Sequence, residues 1–224
     1  MKKSVKIHGL MRSGTNFLEF MLRNNLPLNV MVHQGSWKHN SINPNVKCDA
    51  FALTHKNIFS WLLSIYSYAK SSKLFPNFSK DSLEAFIRKP LHFKENEIEL
   101  KHDNIIQFWN QYYLKSLGAN TKVPKMVFSY ENFILNPQTY LKKVAKVLKI
   151  KPFPKNKYPQ NSISPSHKNI VVSESFNYDK IDFYKHKAYM SSFTSKDIAY
   201  VNSVVNQELL KKLQQNDLLV KNFD

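Results

Sequence analysis

The chain has 224 residues, 33 Lys plus Arg against 16 Asp plus Glu, and a formal net charge of +17. With 42% hydrophobic and 13% aromatic residues it holds enough apolar material for a core, which excludes a disordered basic tail. A single cysteine, Cys48, excludes a disulfide framework and a cysteine-rich zinc site, and the longest largely apolar stretch, Ile58 to Ala69, is too short to span a bilayer. Met1-Lys2-Lys3 leads almost at once to His8 and Arg12 with no apolar signal-peptide region. These features predict one globular domain over 1–224, without a transmembrane segment, in a reducing compartment, the cytoplasm.

Strands and helices alternate along the sequence. Ser4 to Leu10 reads as a strand, and Arg12-Ser13-Gly14 breaks it. Thr15 to Arg23 then reads as a helix, with Phe17, Leu18, Met21 and Leu22 on one face. Leu28 to His33 is a second strand and Cys48 to Thr54 a third, apolar enough for a buried parallel strand. Asn57 to Lys70 is a helix. Ser79 to Lys89 is another, capped by Ser79 or Asp81. Asp103 to Leu117 follows, with Gly118 in the place of a C′ glycine. Lys125 to Tyr130 is a fourth strand, and Asn136-Pro137 starts a helix as N-cap and first residue. Pro152 to Tyr178 is rich in Pro, Ser and Asn; the stretch 152–190 reads as a long loop or lid. Thr194 or Ser195 caps a final helix to about Gln214. The pattern predicts an α/β domain with a mostly parallel central sheet flanked by helices, in which ligands bind beyond the carboxyl ends of the strands.

Gly9-Leu10-Met11-Arg12-Ser13-Gly14-Thr15-Asn16 lies between the first strand and its helix. Gly14 permits a tight turn, and backbone N–H groups at the helix start converge on one anion. Thr15 and Asn16 add donors, and Arg12 adds a cation with a planar fork. The spacing of Gly9 and Gly14 matches a nucleotide-triphosphatase P-loop, but Thr15-Asn16 stands where that loop needs Lys followed by Ser or Thr. An ordinary strand-to-helix turn is the plain alternative. Lys56 ends the third strand and Ser64 lies eight residues on; alone, a mid-helix serine more often bonds backbone or water.

Taken together, Arg12-Ser13-Gly14-Thr15-Asn16 and the Lys56–Ser64 spacing resemble the sulfotransferases that use 3′-phosphoadenosine 5′-phosphosulfate (PAPS). The resemblance implies a P-loop-like fold in which Arg12, Ser13, Gly14, Thr15 and Asn16 hold the 5′-phosphosulfate and Lys56 with Ser64 the 3′-phosphate. Members usually carry Arg where this chain has Lys56, so the charge is kept and the bidentate fork is not. Ser129-Tyr130-Glu131-Asn132 resembles the family's Tyr-Glu-Asp-type strand end. Lys185 and Lys187, before Phe193-Thr194, resemble its basic closing segment without the usual Arg-Lys-Gly. Trp37-Lys38-His39 is similar to a loop of a small prokaryotic-type branch.

The implied reaction is in-line transfer of a sulfuryl group to a hydroxyl, with no metal. Arg12 stabilises the leaving group and Lys38 the sulfuryl oxygens, and His39 serves as base with His33 as its rival. The partners are then the nucleotide, released as its bisphosphate, and an acceptor that is a glycan, a lipid or a small molecule. Two other readings stand beside it: a P-loop nucleotide kinase or triphosphatase, with Glu131 as its magnesium-side acid, and a basic module for nucleic acid or another polyanion. Lys142, Lys143, Lys146, Lys149, Lys151, Lys155 and Lys157 form the densest basic run, but no specific nucleic-acid motif accompanies it. The eight histidines show no metal-ligand spacing.

Overall fold

The computed structural model describes residues 2–71, 80–95, 98–161, 163 and 170–217, the side chains of 93–95 and 98–100 excepted. Its centre is a four-stranded sheet made of β1 (Lys3–His8), β2 (Leu28–Met31), β3 (Ala50–His55) and β6 (Lys125–Ser129), in the order β2-β1-β3-β6. Every pairing is parallel; Val5, for example, faces Val30 on one side and Ala50 on the other. All six residues of β3 are buried, as a continuous apolar run in a covered parallel strand requires. From β1 the chain turns to β2 on one side, then crosses to β3 on the other. The carboxyl ends of β1 and β3 therefore open at a topological switch point, where open α/β sheets place their ligands.

Helix α1 (Thr15–Asn25) fills the β1-to-β2 crossover and buries Phe17, Leu18, Met21 and Leu22. Helix α2 (Ile58–Ser71) follows β3 and buries Trp61, Leu62 and Ile65; the Trp61 indole donates to the Met11 carbonyl at 2.8 Å, tying α2 to the loop after β1. Short α3 (Leu83–Arg88) leads to an antiparallel hairpin, β4 (Leu91–Glu95) with β5 (Ile98–His102), which the sequence pattern does not announce. Helix α4 (Ile105–Gly118) buries Trp109 and Tyr113, and α5 (Tyr130–Leu135) and α6 (Pro137–Leu148) follow β6.

Several boundaries depart from the sequence reading. The N-cap of α3 is Ser82, whose hydroxyl accepts from Ala85 N–H; Ser79 lies outside the described residues. Gly118 is the last residue of α4, not a left-handed C′ residue. The carbonyls of Leu117 before it and Ala119 after it are taken by the Lys125 ammonium. Asn136 makes no side-chain cap, and Pro137 alone marks the start of α6. The loop expected over 152–190 holds the strand pair β7 (Tyr158–Pro159) and β8 (Val172–Ser173), helix α7 (Ile181–Lys185) and a 3₁₀ turn at Ala188–Ser192.

The single last helix is two, α8 (Ser195–Val204) and α9 (Gln207–Gln215). Thr194 caps the first in a reciprocal box with Asp197. Val205 is extended, and the Asn206 side chain starts the second by accepting from Leu209 N–H at 2.8 Å. Beyond α9, Asp217 bridges to Val127, and its carboxylate accepts from Ser129 N–H at 2.9 Å, Asn132 Nδ2 at 2.7 Å and the Tyr140 hydroxyl, closing the outer edge of β6. Among the described residues no helix is long and apolar enough to cross a membrane.

Candidate functional site

The loop from Gly9 to Gly14 carries two left-handed residues, Arg12 at φ 67 and Gly14 at φ 93. A side chain at Gly14 would also sit 2.2 Å from the Tyr130 ring, so both conformation and space demand glycine. The non-glycine left-handed residue, Arg12, is held by its surroundings and turned to the exposed side. Below it, Ser13 N–H donates to Leu10 O, and Ser13 O accepts from the buried Thr54 hydroxyl at 3.0 Å. The loop is thus pinned to the carboxyl end of β3.

Gly14 gives α1 no side-chain cap, and among the described residues the N–H groups of Gly14, Thr15 and Asn16 have no acceptor. Ser13 Oγ is fully buried and, among the described residues, makes no well-formed hydrogen bond; the Tyr113 hydroxyl, close enough to feel it, donates to Thr54 O at 3.0 Å. A helix start with unsatisfied donors and a buried hydroxyl is a cradle for a tetrahedral oxyanion.

Two cations flank that cradle. Arg12 Nε lies 3.4 Å from Ser64 Oγ, and its guanidinium sits 5.5 Å from the Tyr68 ring centre. Lys38 is buried; its ammonium donates to Asn16 Oδ1 at 2.6 Å and lies 3.8 Å from Glu19. Burial lowers the Lys38 pKa, with Glu19 opposing.

The segment around Lys38 is fastened to β1 at several points. Gly9 N–H donates to Lys38 O at 3.0 Å; the Lys6 ammonium donates to Val32 O and Ser36 O; Asn40 O accepts from Tyr112 at 3.0 Å and faces His8 Nδ1 at 2.9 Å. His39 Nδ1 faces Gly9 O at 2.7 Å. A carbonyl only accepts, so Nδ1 carries the proton and Nε2 keeps the lone pair. Burial drives the His39 pKa down to about 4, and the charges of Lys38, His33 and His8 act in the same direction. His39 is therefore neutral at pH 7. The Trp37 ring stands edge-on to it at 4.7 Å and is itself 36% exposed. His33, the rival base, is exposed two residues past β2.

Lys56 does not meet Ser64. Its ammonium is buried, donates to Tyr184 Oη at 3.0 Å, and lies 4.5 Å from the Tyr130 ring centre and 5.4 Å from that of Tyr184. Burial lowers its pKa to about 7; Glu131 opposes this, while Arg12 and Lys180 reinforce it. Lys185 and Lys187 are exposed, on the same segment as Tyr184. The structure thus brings Arg12 to Ser64, Lys38 to Asn16 and His39 to Gly9, and sets Lys56 under α7. Glu131 is occupied elsewhere: its carboxylate accepts from Asn57 N–H at 3.1 and 3.2 Å and from the Ser60 hydroxyl, anchoring the start of α2.

Tyr184, Tyr68 and Lys180 escape sequence reasoning, and Tyr130 enters it only as part of a strand-end motif, not as a ring over Lys56. Tyr184 is 128 residues from the lysine it covers, and no spacing rule links them. Among the described residues no group of three or more His, Cys, Asp or Glu could hold a metal. No known family model matches the sequence, and no curated protein is similar to it.

Proposed function

We propose that the protein is a sulfotransferase, moving a sulfuryl group from PAPS to an acceptor hydroxyl. The observation that carries this reading is the uncapped start of α1. It offers free N–H groups and the buried Ser13 hydroxyl between Arg12 and Lys38, with no lysine after Gly14 for a triphosphate. In this reading Ser13, Gly14, Thr15 and Asn16 hold the 5′-phosphate, and Arg12 meets the charge that develops on the bridging oxygen as the sulfur–oxygen bond breaks. The acceptor oxygen bonds to sulfur, its proton passes to His39 Nε2, and 3′-phosphoadenosine 5′-phosphate leaves. The Gly9 carbonyl fixes the imidazole in the tautomer this requires. In this reading Lys38, one hydrogen bond from Asn16, neutralises sulfuryl oxygens.

In this reading the 3′-phosphate falls to Lys56 and takes the place of the Tyr184 hydroxyl on its ammonium, with Lys185 and Lys187 on the segment that carries Tyr184. The nucleotide-kinase reading is weaker, because the acid it would use, Glu131, is committed to the start of α2.

The test is thermal shift with adenosine 3′,5′-bisphosphate, against ADP and ATP with and without magnesium. At 100 times Kd a ligand stabilises by about 2.7 kcal/mol, a clear rise in Tm for the bisphosphate alone. A magnesium-dependent shift with ATP and none with the bisphosphate would refute the reading. Lys56→Ala is expected to remove the preference for the 3′-phosphorylated nucleotide while leaving weak ADP binding unchanged.

A further inference from the structure

The basic run 142–157 takes no part in the site. Helix α6 buries Tyr140, Leu141, Val144, Ala145 and Leu148, which leaves Lys142, Lys143, Lys146 and Lys149 exposed on its other side. Lys142 and Lys146, one turn apart at i, i+4, share a stripe of the helix, and Lys149 caps its end in a left-handed conformation. Lys151, Lys155 and Lys157, in the chain that follows the helix, are exposed as well. Between 142 and 157 there is no Asp or Glu, and among the described residues the only ion pair is Lys155 with Glu174 at 3.1 Å.

Two apolar side chains stand in this field, Val147 at 37% and Phe153 at 40% exposure. Phe153 is not there because its backbone is loose. Its N–H donates to Asn25 O at 3.0 Å, and the Asn25 side chain grips Lys157 N–H at 2.7 Å and Lys157 O at 2.9 Å. Pro152 and Pro154 bracket it, so the ring is presented outward by a chain with little freedom left to lose. The patch adjoins the C-terminal end of α1, whose N-terminal end forms the anion cradle. It therefore lies at the opposite end of the sheet, about 16 Å away along the 11 residues of α1.

We propose that this face docks the protein on an anionic membrane surface. A flat array of acidic headgroups satisfies ammonium groups that, Lys155 apart, have no carboxylate partner among the described residues, without a fixed register, and Phe153 enters the headgroup layer beside Val147. All the cations are lysines, point charges without the planar fork that reads bases or grips single phosphates bidentately. A docked molecule keeps its anion cradle turned away from the bilayer. The inference does not depend on the sulfotransferase reading.

The test is sedimentation of the full chain with phosphatidylcholine vesicles, with and without 30% phosphatidylglycerol, at 0.1 M salt. Binding is expected only with the anionic lipid and is expected to fall with added salt. The triple variant Lys142→Glu/Lys146→Glu/Lys149→Glu should weaken it by two orders of magnitude or more, at roughly fivefold per lysine removed. Phe153→Ser should weaken it several-fold while leaving its salt dependence intact. All these side chains are exposed, so an unchanged melting temperature is expected for each variant. Equal sedimentation with neutral vesicles, wild-type binding by the triple variant, or tighter binding to duplex DNA with no effect of Phe153→Ser would each overturn the proposal.

Discussion

At the scale of single residues, His39 has a structural task and, in the proposed mechanism, a chemical one, and one substitution can separate them. Its Nδ1 fastens the 36–40 segment to Gly9 O, while Nε2 is the free lone pair. An asparagine amide can donate to the same carbonyl but offers no base. His39→Asn is expected to retain the thermal shift with adenosine 3′,5′-bisphosphate and to lose turnover by 10²- to 10⁴-fold, the range for a missing general base. A fully active His39→Asn enzyme would remove His39 from the mechanism. Arg12, Lys38 and His39 could be singled out from the sequence because residues near one strand end fall together once the strands are parallel and adjacent, whereas Ser64, paired with Lys56 by its spacing, faces Arg12 instead. The burial of Lys56 was not legible. Its state is set by two tyrosines, one of them 128 residues away, and by the loss of water around its ammonium rather than by any local pattern.

At the scale of elements, the β1–α1 turn depends on Gly14 for two independent reasons, its left-handed φ and the ring of Tyr130. Gly14→Ala meets both the backbone strain and the contact. It is expected to cost about 1–3 kcal/mol, read as a drop in Tm of about 2–12 °C at this chain length. An unchanged Tm would mean that the turn and Tyr130 rearrange freely. Element type was legible wherever a clear apolar period or a capping residue marked it, as in α1, α6 and the Thr194 cap of α8. It was illegible where a distant side chain decides. The end of α4 is set by Lys125 from the next strand rather than by Gly118, and the break between α8 and α9 rests on two extended residues, Val205 and Asn206. The β4–β5 hairpin has no two-residue glycine turn to announce it.

For the whole molecule, the sheet core holds imidazoles that stay neutral. Burial takes His8 from 6.5 to about 4, with Lys6 reinforcing and the Asn40 carbonyl opposing. His39 and His55 are shifted down by the same cause. Between pH 6.5 and 4 the unfolded chain therefore binds more protons than the folded one, and stability rises with pH across that window. Acidification from 7 to 4 is expected to cost on the order of 3 kcal/mol through His8 alone, measured as a falling urea midpoint. His8→Gln should flatten the profile, and a midpoint independent of pH from 7 to 4 would contradict the burial. Asp49, held at about 2 by Lys3 and Ser4, adds its own loss only at still lower pH. The closing of the β6 edge by Asp217 also has a meaning in time. Ser129 waits for a partner 88 residues further along the chain, so during synthesis β6 presents an open edge to any other strand until nearly all of the domain has been made. A chain interrupted before Asp217 would hold its anion cradle complete and its sheet unsealed, and such fragments should aggregate through β6 rather than unfold from the site outward.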